Sequence, residues 1–227
     1  MKISSLSYKI LQDQGIILVD KPIGATPLEC VKFIKQENEK ITNTRIGYAG
    51  RLDPMASGLL LLLIGEENKN KVKYENLSKE YIVEVLFGLS TDSQDLMGLI
   101  TGFDSNAKDQ MISNDLIQSF VGTTKMQYPA FSSKRLDGKP LFYHAHHGNI
   151  SDGHEVFADF VIQKIDLLES KNISMIDVWG KISDIIPQVN GQFRQEEILE
   201  KYRELFGANK TVVFPTVKIC VNCNSGV

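Results

Sequence analysis

"GYAGRLDPMASGLLLLLIGEENK", residues Gly47 to Lys69, carries one carboxylate well inside an otherwise non-acidic stretch. Asp53 is the only acidic residue between Glu39 and Glu66, and Gly50, Arg51, Pro54 and Gly58 surround it in the chain. Six apolar residues, Leu59 to Ile64, follow at once. Glycine and proline mark a turn, and the apolar run marks core. Over Ala56–Gly65 periodicity does not separate a buried strand from a short helix, and both stay open. A carboxylate on such a turn can be a nucleophile, a general base, a metal ligand or a cap. Taken alone, "LDP" is equally well explained as a structural turn, because aspartate is a standard turn residue.

The flanking segments are easier to read. "GIILVDKPIG" (Gly15–Gly24) is a short apolar strand that stops at a Lys21-Pro22-x-Gly24 turn. "TPLECVKFIKQEN" is a helix, with Thr26 as N-cap, Pro27 at the first helical position and Glu29 completing a capping box. Its apolar residues Cys30, Val31, Phe33 and Ile34 share a face. "KEYIVEVLFGLSTD" alternates Tyr81, Val83, Val85 and Phe87 against Ile82, Glu84 and Leu86, the pattern of a strand ending at Gly88. A helix is expected near Asn114–Phe120, capped by Ser113 or Asn114 and stopped by Gly122, with an extended stretch through Pro129. "VFADFVIQKIDLLES" reads as a strand, "EEILEKYRELFG" as an amphipathic helix ending at Gly207, and "TVKICVNCNS" as a further strand. Strands and helices mix without a βαβ rhythm, which predicts an α+β fold around a largely antiparallel sheet flanked by helices.

Composition narrows the class. With 227 residues, 42% hydrophobic and 23% charged, the chain can bury a substantial core. The run Leu59–Ile64 is far too short to span a bilayer, and the N-terminus lacks an h-region, so neither membrane nor signal peptide is expected. Three cysteines are too few for a disulfide framework and suit a reducing cytoplasm. The net charge of −3 argues against a strongly basic coat; it falls entirely in residues 150–227, with 8 Lys/Arg against 11 Asp/Glu. A nucleic acid would therefore meet a local basic stripe, with moderate salt dependence.

Other candidate sites are weaker. His144, His146, His147 and His154 cluster without a carboxylate or cysteine at ligand spacing, so an exposed helix or loop face explains them better than a metal. "CVNC" is one C-x-x-C, and on a strand Cys220 and Cys223 face opposite ways, which suits ordinary buried thiols. No G-x-G-x-x-G or Walker-type loop is present, so a nucleotide cofactor has no support.

The whole pattern resembles a known family. "GIILVDKPIGAT", "GYAGRLDPMASGLLLLLIGEENK", "SKEYIVEVLFGLSTDSQDLMG" and "QYPAFSSKRLDGKPLFYHA" are similar, in order, to the successive blocks of the TruB pseudouridine synthases, which act on the T arm of tRNA. "GRLDxxxxGL" alone also resembles the RsuA and RluA groups, while the third and fourth blocks favour the TruB branch. The resemblance implies a pseudouridine synthase fold and a catalytic nucleophile at Asp53, which attacks as the uridine C1′–N1 bond is cleaved before C5 rejoins the sugar. It implies no metal and no organic cofactor. It places Tyr81 against the flipped base, where stacking is worth about 1–3 kcal/mol; the residues alone would make Tyr81 a core tyrosine. Lys21 and Pro22 match a turn beside the active-site loop, and Arg51 lies within that loop. Lys69, Lys71, Lys73, Lys79, Lys134, Arg135 and Lys139 are candidate phosphate contacts, or simply a solvated face.

Two departures stand out. Tyr48 occupies the place of the family's usual histidine, keeping a ring and a donor without a charge near neutral pH. "VKICVNCNSGV" is similar to the strand that the family follows with Tyr-Ile-Arg, and Val227 falls where that segment is expected. On this reading residues 1–227 are one catalytic domain, incomplete at its C-terminus and without a PUA domain. A lost arginine partner should raise the aspartate pKa. The insertion-like "IIPQVNGQFRQEEILEKYRELFG" is expected on the substrate-discriminating region. The sequence thus reads as a monomeric cytoplasmic tRNA pseudouridine synthase. A synthase for another RNA such as rRNA, and a non-catalytic RNA-binding or tRNA-folding module, are the alternatives.

Overall fold

The computed structural model describes all residues except 1, 2, 4, 110, 111, 133, 151–155, 192 and 225–227. In chain order the elements are β1 (Ser7–Leu11), β2 (Ile16–Lys21), α1 (Pro27–Glu37), β3 (Ile46–Ala49), β4 (Gly58–Ile64), α2 (Lys71–Glu75), β5 (Lys79–Leu86), β6 (Leu89–Thr91) and β7 (Ile100–Phe103). There follow α3 (Asn114–Gln118), β8 (Gly122–Gln127), β9 (Arg135–Leu136), β10 (Lys139–Pro140), α4 (Leu141–His146), β11 (Phe157–Ser174), α5 (Met175–Ile185), α6 (Gln195–Ala208) and β12 (Val213–Cys223). Chain contacts divide the molecule into two compact units, residues 1–77 with 183–193, and residues 78–182 with 194–225. The fold is α+β, and all strand pairs among the described residues are antiparallel.

The first unit is a four-stranded sheet in the order β1-β2-β4-β3. β4 answers the strand-or-helix question: it pairs with β2 from Ile16↔Leu63 to Lys21↔Gly58 and with β3 on its other edge. From Leu60 onward it is apolar because both faces are covered, while Leu59 at its start is exposed. Leu60 and Leu62 join Ile17, Val19, Cys30, Val31 and Ile34 beneath α1. Leu63 packs with Ile16 and Ala49 on the opposite face. The α1 start is as the sequence predicts: the Thr26 N–H donates to Glu29 Oε2 at 2.8 Å, and the Glu29 N–H donates to Thr26 Oγ1 at 3.3 Å.

The second unit holds a four-stranded sheet in the order β5-β12-β11-β8, with Ile117, Ile165 and Val217 at the centre of its core. β6 and β7 pair as a two-stranded ribbon, as do β9 and β10. The β9–β10 turn places Asp137 at φ 50° and Gly138 at φ 79°, the two positive angles a tight hairpin needs. Ser113 is the α3 cap, accepting from the Leu116 N–H at 3.1 Å.

Strands β1 and β3 and helix α5 were not legible in the sequence pattern. For α5 a signal existed: Met175, Val178 and Ile182 are its buried residues, at helical spacing. Ser174 also caps it, accepting from the Asp177 N–H at 3.1 Å.

This packing makes a graded prediction for urea unfolding. Leu62→Ala should cost about 2–5 kcal/mol, and Thr26→Ala about 0.5–2 kcal/mol. A Leu62→Ala loss no larger than that of the cap would refute its place at the centre of the first core.

Candidate active site

Asp53 lies on the connection between β3 and β4. Gly50 at φ 81° and Gly58 at φ 122° bracket it, angles that side-chain-bearing residues rarely adopt. Between them the Ala56 N–H donates to the Asp53 carbonyl at 2.9 Å, closing a turn at Asp53-Pro54-Met55-Ala56. The next carbonyl, that of Pro54, accepts the Gly24 N–H at 2.7 Å. The loop is thereby tied to the turn at the end of β2.

That turn wraps around Lys21, whose side chain has no exposed surface. Its ammonium donates to the carbonyls of Pro22 at 3.1 Å and Ala25 at 2.8 Å. Burial pushes the Lys21 pKa down, while Cys30, Asp53 and Glu29 push it back up. Asp53 is an exposed residue, yet the protein atoms packed around its carboxyl raise that group's pKa. The positive charges of Lys21 and Arg51 oppose that rise without cancelling it. A carboxylate in this condition is a stronger base than one in water, and a fixed turn presents it in one direction.

The other sequence-selected residues are distributed over both units. Tyr48, on β3 opposite Leu62, is half-buried against the first core, and Lys71 stands 5.8 Å from its ring centroid. Arg51 is exposed in the Asp53 loop. Tyr81 belongs to the second unit, half-buried on β5 opposite Val221. Lys134 is exposed there, 5.0 Å from the Tyr128 ring centroid. Lys139 donates to the Tyr143 hydroxyl at 3.0 Å, and Arg135 to the Gly138 carbonyl at 3.3 Å. Lys69 pairs with Glu66, and Lys71 with Glu75 at 3.2 Å. Exposed pairs of this kind are worth little, so they yield readily to a phosphate.

His144 and His147 lie on and just after α4, His144 bonded to the Leu136 carbonyl at 2.9 Å and His147 exposed. His154 lies outside the described residues. Among the described residues no three His, Cys, Asp or Glu side chains converge in a metal-binding group. Cys223 is buried, but Cys220 is only half-buried, since β12 turns the two toward different faces.

One arrangement escaped sequence reasoning. In the second unit Arg194, just before α6, forms a two-pronged ion pair with Asp92 at 2.7 and 3.0 Å and lies 4.1 Å over the Phe131 ring. Arg194 adopts φ 60° and sits in no periodic pattern, so no local signal marks it. Tyr202 of α6 is buried with its hydroxyl unpartnered, and burial next to Asp95 and Asp92 pushes its pKa up.

The family model described as "TruB family pseudouridylate synthase (N terminal domain)" matches residues 38–196. The chain belongs to the TruB family. Among curated TruB-family relatives, tRNA pseudouridine synthase B of Caldicellulosiruptor saccharolyticus is 35% identical over 134 residues, 59% of this chain and 45% of that one. The enzyme of the same name from Borreliella burgdorferi is 37% identical over 134 residues, 57% and 45% of the two chains. That of Geobacter sulfurreducens is 32% identical over 158 residues, 67% and 51% of the two chains. The chain spans about half the length of the curated relatives it matches. A chain in the crystal structure of a Cbf5–Nop10–Gar1 complex superposes with a TM-score of 0.46 at 15% identity, covering 100% of this chain and 46% of that one.

Two predictions follow from the charges. Because the folded pKa of Asp53 is raised, the folded state binds more protons than the unfolded one, and its stability falls as pH rises through that pKa. Asp53→Asn should therefore melt higher than the wild type at neutral pH, and the gap should close as pH drops below about 4; a variant that melts lower at neutral pH contradicts the raised pKa. Arg194→Ala leaves the largely buried Asp92 without its counter-charge, though the Leu99 N–H still donates to it at 2.9 Å, and should cost about 3 kcal/mol in urea unfolding. A loss below about 0.5 kcal/mol would make the pair an ordinary surface contact.

Proposed function

We propose that the chain is a tRNA pseudouridine synthase acting on the T-arm uridine, position 55, with Asp53 as its nucleophile. The observation that carries this reading is the Asp53 turn. A carboxylate of raised pKa, fixed by Gly24 and neighboured by Lys21 and Arg51, stands on the loop of a TruB-family chain. Relatives named tRNA pseudouridine synthase B support tRNA as the partner.

The reaction is an isomerisation. A uridine leaves its stack and enters the site, and an Asp53 carboxylate oxygen bonds to it as the N1–C1′ bond breaks. The freed base turns so that C5 faces C1′. A C5–C1′ bond then forms, C5 loses its proton, N1 gains one, and the aspartate is released. Atoms and electrons balance without an oxidant or cofactor. Tyr81 supplies the ring against which the extruded base stacks. Lys21 supports the turn beside the aspartate, Tyr48 and Arg51 meet the RNA, and Lys134 contacts a phosphate. On this reading the protein acts as a monomer in the cytoplasm.

The test is tritium release from a T-arm stem-loop labelled at uridine C5. The wild-type chain should release the label and Asp53→Asn should not. The rate should fall as pH is lowered through an apparent pKa above the ordinary aspartate range, because the nucleophile must be ionised. Folded, RNA-bound wild-type chain that releases nothing would overturn the enzymatic reading and leave an RNA-binding module. Release from an rRNA hairpin alone would overturn the tRNA assignment.

A further inference from the structure

The turn that holds Pro54 has a second neighbour from far downstream in the sequence. Within the first unit, residues 183–191 form a small knuckle around the single turn Ile186–Gln188. Ile186 and Val189 anchor it, with 0% and 5% of their surface exposed. It is also closed on itself: the Val189 N–H donates to the Ile186 carbonyl at 3.2 Å, and Gln188 Nε2 to the Asp184 carbonyl at 3.0 Å.

This knuckle meets Gly24 directly. The Asn190 N–H donates to the Gly24 carbonyl at 3.2 Å. The Gln188 carbonyl oxygen stands 2.5 Å from where a Cβ on Gly24 would project, and Gly24 itself sits at φ +85°. On its amide side Gly24 donates to Pro54 at 2.7 Å. Gly24 is therefore clasped between the knuckle and the residue that follows Asp53. Within the loop one turn is closed, Ala56 N–H to the Asp53 carbonyl at 2.9 Å, and Gly58 is held by its pairing with Lys21. The Gly24–Pro54 bond is the tie that fixes this turn against the end of β2.

We infer that the Ile186–Asn190 knuckle is a positioning element for Asp53, acting through Asn190 N–H, Gly24 and the Pro54 carbonyl. Its catalytic consequence rests on Asp53 being the nucleophile; its mechanical consequence does not. Lys21 sets the turn from within, and the knuckle sets it from behind. A nucleophile displaced by about 1 Å can lose on the order of a hundredfold in rate, so the clasp matters for turnover more than for RNA affinity.

Asn190→Pro removes the donor, and Val189 already has φ −72° and ψ 121°, a conformation that accepts a following proline. Asn190→Ala keeps the N–H and is the conservative control. Gly24→Ala strikes the same clasp by forcing a Cβ against the Gln188 carbonyl. Three quantities are measured on the full chain: amide hydrogen exchange at Gly24 and Ala56, the T-arm stem-loop dissociation constant, and the single-turnover tritium-release rate at saturating RNA. Asn190→Pro and Gly24→Ala should exchange Gly24 and Ala56 about tenfold faster and turn over at least about tenfold more slowly, with RNA affinity within about twofold of wild type. Asn190→Ala, which keeps the N–H, should lie closer to the wild type than Asn190→Pro in both exchange and rate. Folded Asn190→Pro with unchanged Ala56 exchange and unchanged rate would overturn the inference. A rate loss wholly matched by lost RNA affinity would overturn it too. Should Asn190→Pro not fold, Val189→Ala, which only trims the anchor, is read in the same way. If the wild type releases no tritium the functional reading fails, and the exchange measurement alone then decides on the clasp.

Discussion

A lysine with no exposed surface organises the first unit. An ammonium removed from water must be met by acceptors, and Lys21 finds them in the carbonyls of Pro22 and Ala25. That demand curls the chain at the end of β2 into a closed turn. The curl presents the Gly24 N–H to the Pro54 carbonyl at 2.7 Å. It also leaves a buried positive charge near Asp53, which moderates the carboxylate's desolvation. Position and electrostatics of the aspartate thus share one origin.

The same turn links fold to site. β2 delivers Lys21 because its partner β4, from Leu60 onward, is apolar and covered on both faces, under α1 on one side and beside Ala49 on the other. α1 in turn begins where the Thr26–Glu29 capping box fixes it, immediately after Ala25. Core packing, helix start and site geometry meet within a few residues. The sheet of the second unit presents Tyr81 on β5 by ordinary alternation, opposite Val221.

Local chemistry was what the sequence expressed well. The capping box was legible because three side chains within four positions specify it. The Asp53 turn was legible because Gly50, Pro54 and Gly58 punctuate it, and the order of four motif blocks carried the family. β4 could not be assigned from its own residues, since a run of leucines has no period; only pairing with β2 and β3 makes it a strand. Arg194 with Asp92, and Asn190 with Gly24, were illegible for a different reason. Each joins residues far apart in the chain, by two hydrogen bonds in the first case and one in the second, and nothing near either residue announces its partner. Helix α5 is an intermediate case: a capping serine and a helical spacing of apolar residues mark it locally.

What most directly probes a poised Asp53 is the titration of its own carboxyl carbon by NMR, in the wild type and in Arg51→Gln. Arg51 is exposed, so its replacement leaves the core untouched while removing one of the two charges that hold the pKa down. Asp53 should titrate above the ordinary aspartate value of about 3.9, and higher still in Arg51→Gln. A wild-type value at or below that reference, unmoved by the substitution, would contradict a desolvated carboxylate held beside Lys21 and Arg51.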